Sequence, residues 1–181
     1  MTAQASEVFL ADGQKCLLYS EPLRTLLERH KLSIKNPYVK STANYRGYTG
    51  TWEIRSGDLY LVDVTWTHLN KDPRGGRRDT ELPISSEAQQ VLFAAASATG
   101  FPVHASWFSG RLMIGYGECR SRGMGGVTWL GWHDKMREVR IRKGRVARDR
   151  LVLFKSYEEW CERFHPDSFW AFMRGLWKYR G

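Results

Sequence analysis

Short runs in which apolar and polar residues alternate follow one another along this chain, separated by glycine-containing turns and interrupted by stretches of helical spacing. Glu7 to Leu10 and Lys15 to Tyr19 flank Ala11-Asp12-Gly13-Gln14, and an Asp-Gly pair between apolar runs predicts a hairpin. The clearest pattern lies between Asn44 and Trp66. With Ser56-Gly57 as a two-residue turn, Trp52 faces Leu61 and Ile54 faces Leu59 on one apolar side. Arg55 then faces Asp58 as an exposed couple worth a few tenths of a kcal/mol. The same logic applied to Phe101 to Tyr116 puts Ser109-Gly110 at a turn, Trp107 opposite Leu112 and Ala105 opposite Ile114. Gly115 to Gly126 reads as a glycine-rich connection. Beyond it, Val127 to Trp132, Met136 to Arg142 and Arg145 to Phe154 predict three strands, the last two joined at Lys143-Gly144.

Leu23, Leu26 and Leu27 have helical spacing, with Ser20 as the predicted cap and Pro22 tolerated in the first turn. Ser86 precedes an Ala-rich helix from Glu87 to about Thr99, stopped by Gly100. Ser156-Tyr-Glu-Glu159 fits a capping box, and Asp167 can cap a last helix from Ser168 to Tyr179. Phe169, Trp170, Phe172, Met173, Leu176 and Trp177 cover more than one stripe of that helix, which suits deep burial or a face for a partner. Thr67 to Pro83 is polar and reads as a loop, the segment most expected to be disordered. No repeat and no linker-like composition divides the chain. The expectation is one α+β domain over residues 1–181: an antiparallel, hairpin-rich β-meander able to curve into a barrel-like sheet. An N-terminal helix, a central Ala-rich helix and two C-terminal helices accompany it.

Composition adds that 42% hydrophobic residues, with 8 Trp, 8 Tyr and 8 Phe, suffice for a core without staples. No basic stretch leads into an apolar one at the N-terminus, and Val91 to Phe101 falls far short of the roughly 20 residues needed to span a bilayer. A cytoplasmic protein with no membrane partner is expected. Cys16, Cys119 and Cys161, odd in number and widely separated, suit reduced thiols.

Charge changes the picture most. The formal net charge is +9, and Asp134 to Arg150 alone holds Lys135, Arg137, Arg140, Arg142, Lys143, Arg145, Arg148 and Arg150 against Asp134, Glu138 and Asp149. A basic β-ribbon can neutralise phosphates and gain from counterion release, and arginine offers bidentate phosphate contacts. It can equally be a solvated edge hairpin that guards against aggregation. Lysine is the usual residue there, so the preponderance of arginine favours binding. Trp129 and Trp132 can add stacking, and Arg74, Arg77 and Arg78 a second contact if their loop turns to the same face.

Other chemistry finds little support. Gly115-Tyr-Gly117 supplies two glycines of a dinucleotide fingerprint, but Arg120 stands at the third position and the surroundings are β, so no cofactor is expected. His30, His68, His104, His133 and His165 lie at least 29 positions apart, without the clustering a metal site needs, so no metal is expected. Metal-free RNA cleavage needs only a base, an acid and cations, for which His68, His104 and His133 with nearby arginines are candidates. Arg46-Gly-Tyr48 begins like an RNA-recognition strand, but Thr49, Gly50 and Thr51 break the pattern.

Tyr45-Arg-Gly-Tyr-Thr-Gly-Thr-Trp-Glu-Ile54 with Gly57-Asp-Leu-Tyr-Leu-Val62, and Phe101-Pro-Val103 with Trp107-Phe-Ser-Gly110, resemble text carried by a group of uncharacterised bacterial proteins. The resemblance covers two stretches, residues 45–62 and 101–110, that span 28 of the 181 residues. It implies a bacterial or phage source and transfers no functional residue. The resulting expectation is a non-enzymatic accessory protein that grips nucleic acid or a nucleoprotein through the arginine hairpin. The alternatives are an inhibitor or immunity-type protein with an acidic protein partner, and a metal-independent ribonuclease.

Overall fold

The computed structural model describes residues 6–30, 48–71, 77–83, 86–124 and 127–164. Nine strands in these segments belong to one sheet, and three helices accompany them, an α+β arrangement dominated by strands. The predicted helix from Ser168 to Tyr179 lies outside the described residues. Among the described residues no helix is long and apolar enough to cross a membrane.

Strands β1 (Glu7–Ala11) and β2 (Gln14–Leu18) form the first predicted hairpin, with Ala11 opposite Gln14. β3 (Tyr48–Arg55) and β4 (Asp58–Lys71) form the second, and Trp52 faces Leu61, Ile54 faces Leu59 and Arg55 faces Asp58 as the alternation predicts. The ion pair expected there is redirected. Arg55 turns along its own strand to Glu53, at 2.6 Å, and leaves Asp58 for Arg145 at 3.3 Å. The turn pairs Asp12-Gly13, Ser56-Gly57 and Lys143-Gly144 all have positive φ, the backbone twist that suits two-residue hairpins.

Elsewhere the sheet departs from the expected meander. β1 runs parallel to β3, so the two hairpins are laid side by side and not in sequence. Thr67 to Pro83 is not a simple loop, because β4 continues to Lys71 and pairs with β5 (Arg77–Pro83) from Thr65 opposite Pro83 to Lys71 opposite Arg77. Ser109-Gly110 does not close a hairpin. β6 (Val103–His104) pairs with β4, while β7 (Gly110–Met124) pairs with β8 (Val127–Arg142). The expected glycine-rich connection and short strand are therefore parts of two long strands. Register shifts between Tyr116 and Cys119 and between Ser121 and Gly123 absorb residues that do not fit the ladder, and pairing continues past them. β8 returns through β9 (Arg145–Leu153). β2 meets β7 at Leu18 and Ile114, and β9 meets β4 at Arg145 and Asp58, so the succession β3-β1-β2-β7-β8-β9-β4 returns to β3.

The main core packs Phe9, Leu18, Trp52, Leu59, Leu61, Leu112, Ile114, Val139 and Ile141 together, all buried. Helix α1 (Pro22–Arg29) adds Leu23, Leu26 and Leu27 to it. The N-cap is Glu21, not Ser20. Ser20 instead ties the chain to β7, where its Oγ donates to the Arg111 carbonyl at 2.9 Å and accepts the Met113 N–H at 3.0 Å. Helix α2 (Ser86–Ala96) ends earlier than Gly100 would dictate. Ser97 takes positive φ, its N–H donates to the Ala94 carbonyl, and the Ala98 N–H donates to the Phe93 carbonyl, which is a Schellman closure.

On the other side of β7 and β8 a smaller cluster of Met113, Met136, Phe154 and Trp160 lies under helix α3 (Tyr157–Phe164). Ser156 Oγ accepts the Glu159 N–H at 3.2 Å as the capping box requires, while Glu159 reaches back to the Lys155 N–H at 2.9 Å.

The Lys143-Gly144 turn is pinned to the body of the protein. The Lys143 N–H donates to Ser109 Oγ at 2.8 Å and the Gly144 N–H to the Phe108 carbonyl at 2.9 Å, while the Gly144 carbonyl accepts from Leu59 at 2.7 Å. Gly144 has φ of +80°, and a Cβ there would stand 2.6 Å from His104 Nε2 and 2.9 Å from the Ala105 carbonyl oxygen. Gly144→Ala is expected to cost about 2 kcal/mol through left-handed strain and overpacking, read as a lower urea midpoint. An unchanged midpoint would mean that the turn is not seated on Ala105.

Candidate nucleic-acid interface

In a regular two-residue hairpin closed by Lys143-Gly144, Arg140 would face Ala147 and Glu138 would face Asp149. The ladder instead shifts by one between Arg140 and Ile141, with Ala147 as the extra residue. Arg142 faces Arg145 and Ile141 faces Val146 as in a regular ladder, but Arg140 faces Arg148 and Glu138 faces Arg150. The bulge thus replaces a carboxylate pair with an ion pair. It also brings Arg148 onto the face of Arg140.

That face is the outer one, because Val139 and Ile141, which alternate with Glu138 and Arg140, are buried in the main core. β7 extends it. Arg111 lies opposite Arg140, so Arg111, Arg140 and Arg148 form one row across three adjacent strands, spaced about 4.8 Å strand to strand. The next row holds Met113, Glu138 and Arg150. Gly110, Arg111, Glu138, Arg140, Arg148 and Arg150 line a groove of about 330 Å³.

Glu138 organises one wall. Its Oε2 accepts from Arg150 Nη2 at 2.7 Å and from Arg163 Nη2 of α3 at 3.0 Å, while Oε1 stands 4.0 Å from Arg111 Nη1. Burial alone would raise this carboxyl, but the hydrogen bonds from Arg150 and Arg163 hold it below its ordinary value. Among the described residues Arg140, Arg148 and Arg142 meet no carboxylate within ion-pair distance, and all three are exposed. Like charges directly opposite on a sheet are destabilising, so this row is held against its own repulsion.

The sequence-predicted set divides accordingly. Arg140, Arg148 and Arg150 line the groove, and Arg142, Lys143 and Arg145 stand at its turn end. Arg137 does not join them. It belongs to the opposite face and is held by Asp149 through Nε at 3.1 and 3.0 Å and Nη2 at 2.6 Å. Arg77 and Arg78 belong to β5, which pairs with the end of β4 remote from Asp58, and Arg74 lies outside the described residues. Trp129 and Trp132 stand toward the start of β8, away from Arg140 near its end. Arg111 and Arg163 were not among the expected residues. Arg111 is a lone charge between Gly110 and Leu112, and Arg163 is one charge among several on a short helix. Only strand pairing and the docking of α3 bring them to the site.

The candidate histidines do not converge. His133 is buried, shares a 3.0 Å hydrogen bond with the Tyr19 hydroxyl through Nδ1, and its ring occupies the space a side chain at Gly115 would need. Burial pushes His133 below its ordinary value, against a smaller pull from Asp134, and pushes the Tyr19 phenol above its own. His104 stands 3.9 Å from Asp58 with Nε2 packed toward Gly144. His68 is on β4, in the stretch that pairs with β5. Among the described residues no three His, Cys, Asp or Glu side chains converge as metal ligands would. No protein-family model, curated protein or solved structure matches this chain.

Proposed function

We propose that the protein binds the phosphate backbone of nucleic acid, free or within a nucleoprotein, through the outer face of the β7-β8-β9 region. The observation that carries this reading is the row Arg111, Arg140 and Arg148, three cations side by side of which, among the described residues, only Arg111 reaches a carboxylate, Glu138 at 4.0 Å. Such a row costs stability unless an anion neutralises it, and guanidinium groups match phosphate oxygens bidentately. The pinned turn at Lys143-Gly144 supports the reading too, since it makes the hairpin a fixed wall and not a free, charge-protected edge. We also read the returning circuit of strand pairings as a curved, barrel-like sheet, with the arginines on its outer wall.

The groove lining contains no aromatic ring, so contact falls on sugar-phosphate and base identity matters little. Purified protein is expected to bind labelled single- and double-stranded DNA and RNA with little sequence preference. Affinity should fall at least about 10-fold between roughly 50 and 200 mM salt, as counterion release requires for three or more phosphate contacts. Binding that ignores salt, or its absence in folded and nucleic-acid-free protein, overturns the proposal and turns the basic face toward an acidic protein partner.

A further inference from the structure

The arginines of the outer face stand in steps along the strands as well as in rows across them. Arg142 with Arg145 makes the first step, Arg111 with Arg140 and Arg148 the second, and Arg150 with Arg163 about Glu138 the third. Positions two apart on one strand face the same way and lie about 6.8 Å from one another, close to the separation of successive phosphates on an extended sugar-phosphate strand.

The track has two ends. At one, the chain turns at Lys143-Gly144 against Phe108 and Ser109. At the other, the next position on β8 is Met136, buried with Met113, Phe154 and Trp160 under α3. Charge gives way to apolar packing within one step.

We propose that this face seats three consecutive phosphates of a single sugar-phosphate strand, running parallel to β8 and β9, with the middle phosphate on Arg111, Arg140 and Arg148. The inference rests on the nucleic-acid reading and gives it a length and a direction. The middle step binds most strongly because its arginines have no competing carboxylate within ion-pair distance among the described residues, save the distant reach of Arg111 to Glu138 at 4.0 Å. The third is weaker, because a phosphate there shares Arg150 and Arg163 with Glu138. With no ring in the groove, the bases point away from the protein.

The test is the affinity of oligothymidylates carrying two, three, four and eight phosphates, in roughly 50 mM salt, for the full chain and for the variant Arg142→Ala/Arg145→Ala. Affinity is expected to climb steeply to three phosphates and then to rise only with the number of ways a longer strand can be seated. The variant should reach its plateau at two. Inorganic tripolyphosphate, which packs more charge into less length, is expected to compete far less well than the three-phosphate oligomer. Affinity that climbs by the same factor through eight phosphates, or equal competition by tripolyphosphate, overturns the track and leaves nucleic-acid binding standing. Failure of every oligonucleotide and of long nucleic acid to bind folded protein removes both.

Discussion

Arg148→Glu is expected to weaken nucleic-acid binding about 100-fold in roughly 50 mM salt while leaving the fold at least as stable as the parent. The binding loss follows from removing one charge-assisted phosphate contact, worth about 1.5–3 kcal/mol, and placing an anion where the phosphate would sit. The salt slope should flatten by about 1, the signature of one lost phosphate contact. Stability moves the other way. Arg148 lies directly opposite Arg140, so a glutamate there turns a repulsive cross-strand pair into an attractive one worth a few tenths of a kcal/mol. Most substitutions that abolish a function also loosen the fold, which makes this pair of opposite signs diagnostic. Fluorescence anisotropy with a labelled oligonucleotide and a thermal melt on the same sample check both. Arg137→Ala is the control, since that guanidinium is engaged by Asp149 on the other face and its loss should leave binding unchanged. A variant at Arg148 that melts higher and still binds at parental affinity would remove the arginine row from the interface.

What the sequence disclosed and what it concealed divide along physical lines. The β1-β2, β3-β4 and β8-β9 hairpins are legible because two residues able to adopt positive φ fix the turn, and the turn fixes the register beside it. The same local logic misleads at Ser109-Gly110. There the two flanking segments each find a partner far away in sequence, β4 for one and β8 for the other, and no local alternation encodes that choice. The parallel pairing of β1 with β3 is hidden for the same reason.

The candidate site shows a middle case. That Arg140, Arg148 and Arg150 belong to one basic hairpin is plain from the sequence, but which of them share a face depends on the bulge at Ala147. A signal for it exists in the charges. The unshifted ladder sets Glu138 against Asp149 and Arg137 against Arg150, two repulsive pairs. The shifted one opposes Arg140 to Arg148, one repulsive pair in place of two, while it sets Glu138 against Arg150 and lets Arg137 reach Asp149. Counting opposed charges in the two registers would have favoured the bulge and, with it, the row that carries the proposed function.

Glu138 is the one carboxylate in that groove lining, and Glu138→Gln is expected to move stability and binding in opposite directions from each other. Its side chain is only 13% exposed and serves Arg150, Arg163 and, more distantly, Arg111. Replacing a mostly buried carboxylate by an amide weakens two charge-assisted hydrogen bonds and leaves three guanidinium groups to repel one another, a loss of about 3 kcal/mol. The groove gains one unit of positive charge, and Arg150 and Arg163 are released to phosphate, so oligonucleotide affinity in roughly 50 mM salt should rise several-fold with a steeper salt slope. Acid provides an independent check. The Glu138 carboxyl is held below its ordinary value in the folded state, so its stabilisation is fully present above the unfolded carboxylate range, near pH 4.3 and upward. That stabilisation fades as the pH falls through the lower folded value. The parent should therefore lose stability across this acid window by an amount that Glu138→Gln, already without it, does not lose. A folded Glu138→Gln protein that binds nucleic acid more weakly than the parent at every salt concentration would mean that the carboxylate's ordering of Arg150 and Arg163 outweighs its charge. The third step of the track would then be built by Glu138 and not opposed by it.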